Sequence, residues 1–392
     1  MSFSYDERFQ SAVDNIKQQN RYRTFMPLEY RKFPVAYAPT LEREIVVWCS
    51  NNYLGMSQHP EVIKALCDSA NGVGVSAGGT RNISGTHLAI DQLECELSDL
   101  HKKEKALVFT SGYIANQSAI GAIGKIMPDC VIFSDADNHA SIIHGIRESK
   151  LEKNIFRHND VQHLSELVSS YPKEKPKLII FESVYSMSGS IAPFREIIDI
   201  AKEFNAVTYV DEVHAVGMYG NEGDGIAGAC DYGSEIDIIQ GTLGKAFGVI
   251  GGYIASKGCI VDAIRSIAPG FIFTTTLPPC IAAAATASIQ HLRHSKIERE
   301  IHQEVVAKTK FALKSAGINY MDSPSHIIPV LVGDAERSRG ISVSLLNEFG
   351  IYVQNINYPT VPVGRERLRI TPTPHHTEEM IKSLVFALKK CF

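Results

Sequence analysis

The chain has no CxxC pair, one tryptophan, no excess of basic charge and no uninterrupted apolar run of membrane-spanning length. Each shortage excludes something. Its eight cysteines (Cys49, Cys67, Cys95, Cys130, Cys230, Cys259, Cys280 and Cys391) are scattered singly, so the spacing of a zinc ribbon or finger is missing and no metal site is expected. Most lie in apolar runs, which reads as buried free thiols in a reducing compartment. A membrane helix needs roughly 20 consecutive apolar residues. The AAAATA run at 282–287 is bounded by prolines and polar residues and reads as a packed helix. The opening MSFSYDERFQ has no basic stretch followed by an apolar one, and it mixes Asp and Glu with its only Arg; neither a signal nor a transit peptide is read there. Lys and Arg total 39 against 43 Asp and Glu, so bulk nucleic-acid binding has no electrostatic basis. A local basic pocket for a phosphorylated small molecule stays compatible with that balance. Repeats and low-complexity linkers are missing too.

What is present is an alternation. Pro60 opens a helical pattern over 60–72, with Val62, Ile63, Leu66 and Cys67 at helical spacing. Leu93, Leu97 and Leu100 mark a second helix. Short apolar runs follow at 106–109, 130–133, 178–181 and 206–210, each suited to a strand covered on both faces. Helical segments separate them; in 193–204, Phe194, Ile197, Ile198 and Ala201 share a face. This order predicts a mainly parallel α/β sheet. The runs 236–240 and 251–256 lie too close for a helical crossover and are expected to pair antiparallel. After about residue 289 the composition shifts to a helix at 291–316, short strands (IIPVLVGD, IYVQNI, RLRITP) and a last helix. At 392 residues two or three units are expected. They are read as an N-terminal arm (1–46), a large domain (47–288) and a smaller C-terminal α+β domain (289–392).

In an open α/β sheet, ligands collect at the carboxyl ends of the strands. Five consecutive strand ends here carry polar residues: Thr110-Ser111-Gly112-Tyr113, Ser134-Asp135 with Asn138-His139, Glu182-Ser183 with Ser186, Asp211-Glu212-Val213-His214, and Gly241-Thr242-Leu243-Gly244-Lys245. Lys245 sits in a glycine-bounded turn and can approach a cofactor closely; a phosphate-binding or solvated lysine is the other reading. The surrounding residues do not make a P-loop, since Ile239 and Ala246 stand where that motif needs Gly and Ser or Thr. Asp211, at the end of a buried strand, needs a cationic partner. A structural ion pair or a protonated pyridine nitrogen would serve equally. Ser111, Gly112 and Tyr113 open a helix after a strand, which suits either a phosphate or a plain helix cap. His214, three residues after Asp211, could reach a ring oxygen, but taken singly it reads as a core histidine. Gly72-Val-Gly74-Val-Ser-Ala77 matches a loose dinucleotide fingerprint but follows a helix, so it is set aside.

These stretches resemble a known family. An Asp211-x-x-His214 strand end, with Lys245 in GTLGKAFG thirty-four residues after the Asp, resembles the fold-type I pyridoxal-phosphate (PLP) enzymes, and more narrowly the α-oxoamine synthases. The matching text includes RYRTF, WCSNNYLGM, GGTRNISGTH, NHASIIHGIR, FRHND, FESVYSMSGSIAP, APGFIFTTTLPP and GIYVQNINYPTVP, and runs from residue 21 almost to the end. The resemblance implies a large, mainly parallel seven-stranded PLP domain and a smaller C-terminal α+β domain. It implies a decarboxylating condensation of glycine with succinyl-CoA that feeds tetrapyrrole synthesis, in a homodimer of the bacterial cytosol. It makes Lys245 the Schiff-base lysine and proton acceptor, pairs Asp211 with the pyridine nitrogen and His214 with the ring oxygen, and stacks His139 on the ring. Ser111, Gly112, Tyr113, Ser186 and Thr242 would surround the cofactor, with Thr274 and Thr275 reaching its phosphate from the other subunit. Arg369 would hold the glycine carboxylate, with Asn51 near it. Arg23, Thr80, Asn82, Ile83, Ser134, Lys153 and Thr360 would serve the acyl-CoA and succinyl side, where a guanidinium matches a carboxylate. The chain departs from the family at Asn52 (usually Asp), Gly244 (usually Ala) and Ile90 (often His).

Overall fold

The computed structural model describes residues 4–392. In chain order the elements are α1 (Tyr5–Gln18), β1 (Glu29–Lys32), β2 (Val35–Ala38), β3 (Arg43–Val47), α2 (Pro60–Val73), α3 (Leu88–Leu100), β4 (Lys105–Phe109), α4 (Gly112–Ile126), β5 (Val131–Asp135), α5 (Ala140–Ser149), β6 (Glu152–Phe156), α6 (Val161–Ser169), β7 (Lys177–Glu182) and α7 (Phe194–Glu203). There follow β8 (Val207–Asp211), α8 (Gly225–Ala229), β9 (Ile238–Thr242), β10 (Gly252–Ser256), α9 (Gly258–Ile267), α10 (Pro269–Ile272), α11 (Pro279–His294), α12 (Ile297–Ser315), β11 (Ile328–Leu331), α13 (Ala335–Phe349), β12 (Ile351–Tyr352), β13 (Asn355–Ile356), β14 (Arg367–Ile370) and α14 (Glu378–Cys391).

Contacts divide the chain into two units. One takes the residues up to Ser50, Met187–Gly189 and His302–Phe392; the other takes Asn51–Ser186 and Ser190–Ile301. These divisions differ from the sequence reading at 46/47 and 288/289. The N-terminal segment, read there as a separate arm, clusters with the C-terminal residues because β3 pairs in parallel with β12, Val46 opposite Ile351.

The second unit is built on a seven-stranded sheet in the order β4-β10-β9-β8-β7-β5-β6. Neighbours from β9 to β6 are parallel, and β10 runs antiparallel to β9 and β4, as the short gap between residues 240 and 251 required. Alternate residues along one strand enter different cores. Ala106 and Val108 of β4 join a cluster with Leu93, Leu97 and Tyr253, whereas Leu107 and Phe109 join one with Ile120, Ile132 and Ile180. A sheet covered on both faces is the physical reason its strands read as continuous apolar runs. On α7, Phe194, Ile197, Ile198 and Ala201 are all buried, the face the spacing predicts.

The first unit holds a four-stranded sheet (β1-β2-β3-β12) and a three-stranded one (β11-β14-β13). Its core gathers Trp48, Leu313, Ile328, Leu345, Leu368 and Leu384.

Four expectations are corrected. The helix read at 291–316 is two helices, broken at Ser295-Lys296, where Ser295 Oγ donates to Glu298 Oε2 at 2.6 Å with the spacing of a capping pair. β6 was not foreseen, because charged residues on an exposed edge strand give no apolar run. On α2, Val62 is buried but Ile63 is 47% exposed within this chain. Only Cys130 and Cys280 are buried among the free cysteines; Cys67, Cys95, Cys230 and Cys259 are exposed.

Candidate active site

Three polar residues stand abreast in the register Glu182, Asp211, Gln240, the first two at the carboxyl ends of β7 and β8 and the third in the middle of β9. Asp211 is 4% exposed. Its Oδ2 accepts from Asn116 Nδ2 at 2.7 Å and its Oδ1 from the Val213 amide at 2.9 Å. Both donors are neutral, and among the described residues Asp211 forms no ion pair. Burial raises its pKa, and the Asn116 and Val213 hydrogen bonds oppose that rise. Glu182 is raised well above the usual carboxylate range by burial first and by Asp211 second, while its Oε1 accepts the His139 amide.

From Asp211 the chain turns back and presents His214, which is buried. Lys245 Nζ lies 2.7 Å from His214 Nε2, and His214 Nδ1 lies 2.8 Å from the Tyr53 hydroxyl. Tyr53 donates to Asn51 Oδ1 at 3.1 Å. With that donation fixed, His214 donates from Nδ1 to Tyr53 and accepts from Lys245 at Nε2, so the tautomer follows from the network. The turn carrying Lys245 is shaped by Thr242, whose hydroxyl donates to Gly251 O and accepts from the Gly244 amide at 3.2 Å. A Cβ at Gly244 would meet only ordinary contacts, so the alanine usual there would fit.

Ser111 caps α4, accepting from the Ile114 amide at 3.2 Å. The helix start presses against the sheet: a Cβ on Gly252 would fall 2.3 Å from Gly112 N, so only glycine allows that approach. His139 caps α5, its Nδ1 2.8 Å from Ser141 Oγ. Its ring is edge-on to Tyr113 at 6.3 Å, and burial lowers its pKa. Ser186 lies half-buried after β7, beyond the end that carries Glu182.

These residues fit PLP. A buried carboxylate with only neutral donors calls for a protonated ring nitrogen, a lysine stands one histidine away, and a fifteen-residue helix offers its N-terminal amides to a phosphate. Asp211, His214, His139, Ser111, Gly112, Tyr113 and Thr242 would hold the group, with Lys245 as its covalent anchor.

Other expected residues are placed as follows. Thr275 bridges Thr80, and the Thr276 amide donates to Gly79 O, joining the GGTRNISGT turn to the 274–276 segment. Thr274 is half-buried in that segment, and Asn82 and Ile83 are exposed, Ile83 by 82%. Arg81 in the same turn is committed to Glu94 by two hydrogen bonds of 2.7 and 3.0 Å. Ser134 is 1% exposed and accepts from Asn138 Nδ2, so as folded it offers no surface to a substrate. Lys153 stands on the edge strand β6 opposite Ile132, towards the amino end of β5, away from the carboxyl ends that carry the site. In the first unit, Arg23 Nη2 donates to Thr360 Oγ1 at 3.2 Å, and Arg369 is buried on β14 opposite Pro329. Arg23, Arg21, Arg339, Tyr352, Gln354 and Asn357 help line a cavity of about 370 Å³ in that unit.

Of the departures, Asn52 donates to Ser57 Oγ at 2.7 Å, and Ile90 is fully buried in an apolar core. Sequence reasoning passed over Tyr53 and Asn116. Tyr53 lies inside the quoted WCSNNYLGM stretch. Asn116 follows the Ser111 cap by five positions on a helix otherwise read only for its first turn.

The family model for aminotransferase class I and II matches residues 43–388, and the chain belongs to this family, a fold-type I PLP-dependent transferase. A solved structure of serine palmitoyltransferase from S. paucimobilis, with a bound PLP–myriocin aldimine, superposes with a TM-score of 0.90 at 29% identity, over 99% of this chain and 98% of that one. Within the family the chain falls among the 5-aminolevulinate synthases. It is 54% identical over 388 residues to the 5-aminolevulinate synthase of Bradyrhizobium diazoefficiens, covering 98% of this chain and 95% of that protein. It is 53% identical to that of Rickettsia prowazekii, over 99% and 94%.

Proposed function

We propose that the chain condenses glycine with succinyl-CoA, releasing CoA and carbon dioxide and giving 5-aminolevulinate for tetrapyrrole synthesis. The observation that carries the chemistry is Lys245 Nζ at 2.7 Å from His214 Nε2, three residues beyond the buried Asp211. When bound, PLP supplies an aldehyde that captures amines and a protonated ring that withdraws electrons from the attached carbon.

The chain's residues do the rest. Asp211 keeps the ring nitrogen protonated, and burial strengthens that pairing by excluding water. Asn116 and the Val213 amide fix which way its carboxylate points. Lys245 would anchor the cofactor covalently and, with its amine free, would take the glycine Cα proton at Nζ. His214, oriented by Tyr53, positions that amine. His139 covers the ring, while Ser111, Gly112, Tyr113, Ser186 and Thr242 complete its surroundings. Arg369 grips the glycine carboxylate, with Asn51 nearby. Arg23 and Thr360 grip the carboxylate at the far end of the succinyl group, and Thr80, Asn82 and Ile83 contact the rest of the thioester. We assign Ser134 and Lys153 to the same side on resemblance alone. In a homodimer, Thr274 and Thr275 of one protomer would reach the phosphate held by its partner. The bacterial relatives support a cytoplasmic setting. Among the described residues no helix is long and apolar enough to cross a membrane.

The test is CoA release by the PLP-loaded protein with glycine and succinyl-, acetyl- or pimeloyl-CoA. Strong selectivity for succinyl-CoA, with a product that condenses to a pyrrole, is expected. Equal or better use of another thioester would move the chain to a sister activity and remove Arg23 from its role.

A further inference from the structure

At one corner of the second unit, three helix ends bring His59, His291 and Glu298 together. His59 caps α2, His291 lies in the last turn of α11, and Glu298 lies in the first turn of α12. One ligand atom from each lies within 4.8 Å of the other two. The site described above uses none of them.

The details favour a metal over a plain ion pair. His291 Nε2 is 2.8 Å from Glu298 Oε1, and its other nitrogen, Nδ1, is 3.2 Å from Glu61 Oε2. Glu61 therefore holds the His291 ring from the side opposite Glu298, the arrangement that metal-ligating histidines show. Glu298 is held in turn by Ser295 Oγ at 2.6 Å. The His59 ring packs on the His291 ring at 4.2 Å, yet its Nδ1 is buried with no hydrogen-bond partner.

We propose that His59, His291 and Glu298 form a binding site for a divalent transition-metal ion of the zinc class, with Glu61 holding His291 from outside and water completing the coordination. Two imidazoles and one carboxylate suit zinc and leave one tetrahedral position open. Tetrahedral zinc sets its donors roughly 3.4 Å apart, so His291 Nε2 and Glu298 Oε1, at 2.8 Å, would open by about 0.6 Å, while the longest separation of up to 4.8 Å would close by about 1.4 Å or less. On binding, the ion displaces the proton shared by His291 Nε2 and Glu298 Oε1, which leaves to solvent. The ion then ties the starts of α2 and α12 to the end of α11.

The test uses untagged, PLP-loaded protein stripped with EDTA, equilibrated with zinc sulfate and desalted. Metal content is measured by mass spectrometry, together with the melting temperature with and without zinc. One zinc per chain and a melting temperature raised by several degrees are expected for the wild type. His59→Gln and His291→Gln should retain about one zinc per chain less than the wild type and show no zinc-dependent shift, while zinc-free turnover stays within twofold of wild type. His294→Gln, three positions after His291 at the end of α11, should behave as wild type. The free cysteines are common to all these proteins, so zinc held by thiols cancels in the comparison. If His291→Gln melts without cooperativity or loses cofactor absorbance, Glu298→Gln gives the same readout. Wild type retaining no more zinc than the variants, or an equal thermal shift in all of them, would overturn the site.

Discussion

Arg23 donates a hydrogen bond to Thr360 at 3.2 Å across 337 positions of sequence. Resemblance places both residues on the acyl-CoA and succinyl side through separate motifs, and the fold of the first unit brings them side by side. A charge-assisted hydrogen bond contributes about 1.5–3 kcal/mol. Arg23→Leu should therefore lower kcat/KM for succinyl-CoA roughly 10- to 100-fold. Butyryl-CoA, which lacks the carboxylate, should be little affected. Thr360→Val should show the same selectivity with a smaller loss. Equal losses for both thioesters would mean the pair has no part in reading the succinyl carboxylate.

Lys245→Ala should remove nearly all turnover, by 10²–10⁴-fold or more, the range for a lost general acid–base group. The cofactor should then be held only non-covalently, which a shifted absorbance spectrum and loss on gel filtration would report. Turnover near the wild-type value would take the lysine out of the mechanism.

Asn116 joins Asp211 Oδ2 at 2.7 Å and accepts the Tyr209 hydroxyl at 2.8 Å, all within a buried network. Asn116→Ala leaves buried polar groups unsatisfied, at about 1–3 kcal/mol each. Both the urea midpoint and PLP affinity should fall. Unchanged cofactor affinity would show that the aspartate needs no help to meet the ring.

Tyr53→Phe removes the hydroxyl that fixes the His214 tautomer. A single lost hydrogen bond costs about 1 kcal/mol, so kcat should drop several-fold, with its pH profile displaced. A pure KM effect with an unmoved profile would make Tyr53 only a packing residue.

Three buried histidines should weaken the fold in acid. Burial holds His101 at about 3, His302 at about 4 and His376 at about 3, so all three are neutral in the folded state. Unfolded histidine titrates near 6.5. The stabilisation is thus complete above about pH 6.5 and is lost as pH falls toward the folded values, by at most about 1.4 kcal/mol per pH unit per histidine. Glu212, raised by burial to about 7, acts oppositely, losing stability as pH rises from the unfolded carboxylate value. Glu182 and Asp211, also raised by burial, act in the same sense as Glu212, so the histidine contribution is read by difference: from pH 7 to 5 the urea midpoint of the wild type should fall relative to that of His101→Gln. An equal pH dependence in the two proteins would contradict this.

Much of the second unit was legible because its signals are local. A strand covered on both faces must be apolar throughout, so β4, β5, β7 and β8 announce themselves, and the ten-residue gap before β10 is too short for any crossover but an antiparallel return. The polar residue after each strand follows from chain order, which is why Asp211, His214 and Lys245 could be named from the sequence. The exposed edge strand β6 and the break at Ser295 were not legible: charge hides the first, and the second depends on a Ser–Glu pair inside a continuous helical pattern. Nor could the cysteines be sorted, since exposure depends on which face of an element meets the core.

The sequence by itself determined the order of strands and helices, the lysine at a strand end and the kinship of the chain, all carried by patterns a few residues long. Tertiary structure alone decided which distant groups meet: Tyr53 with His214, Asn116 with Asp211, Arg23 with Thr360, and His59 with His291. Those pairings arise from packing and hydrogen bonding between elements 95 to 337 residues apart in several of these cases, and no local periodicity encodes a contact made at such range.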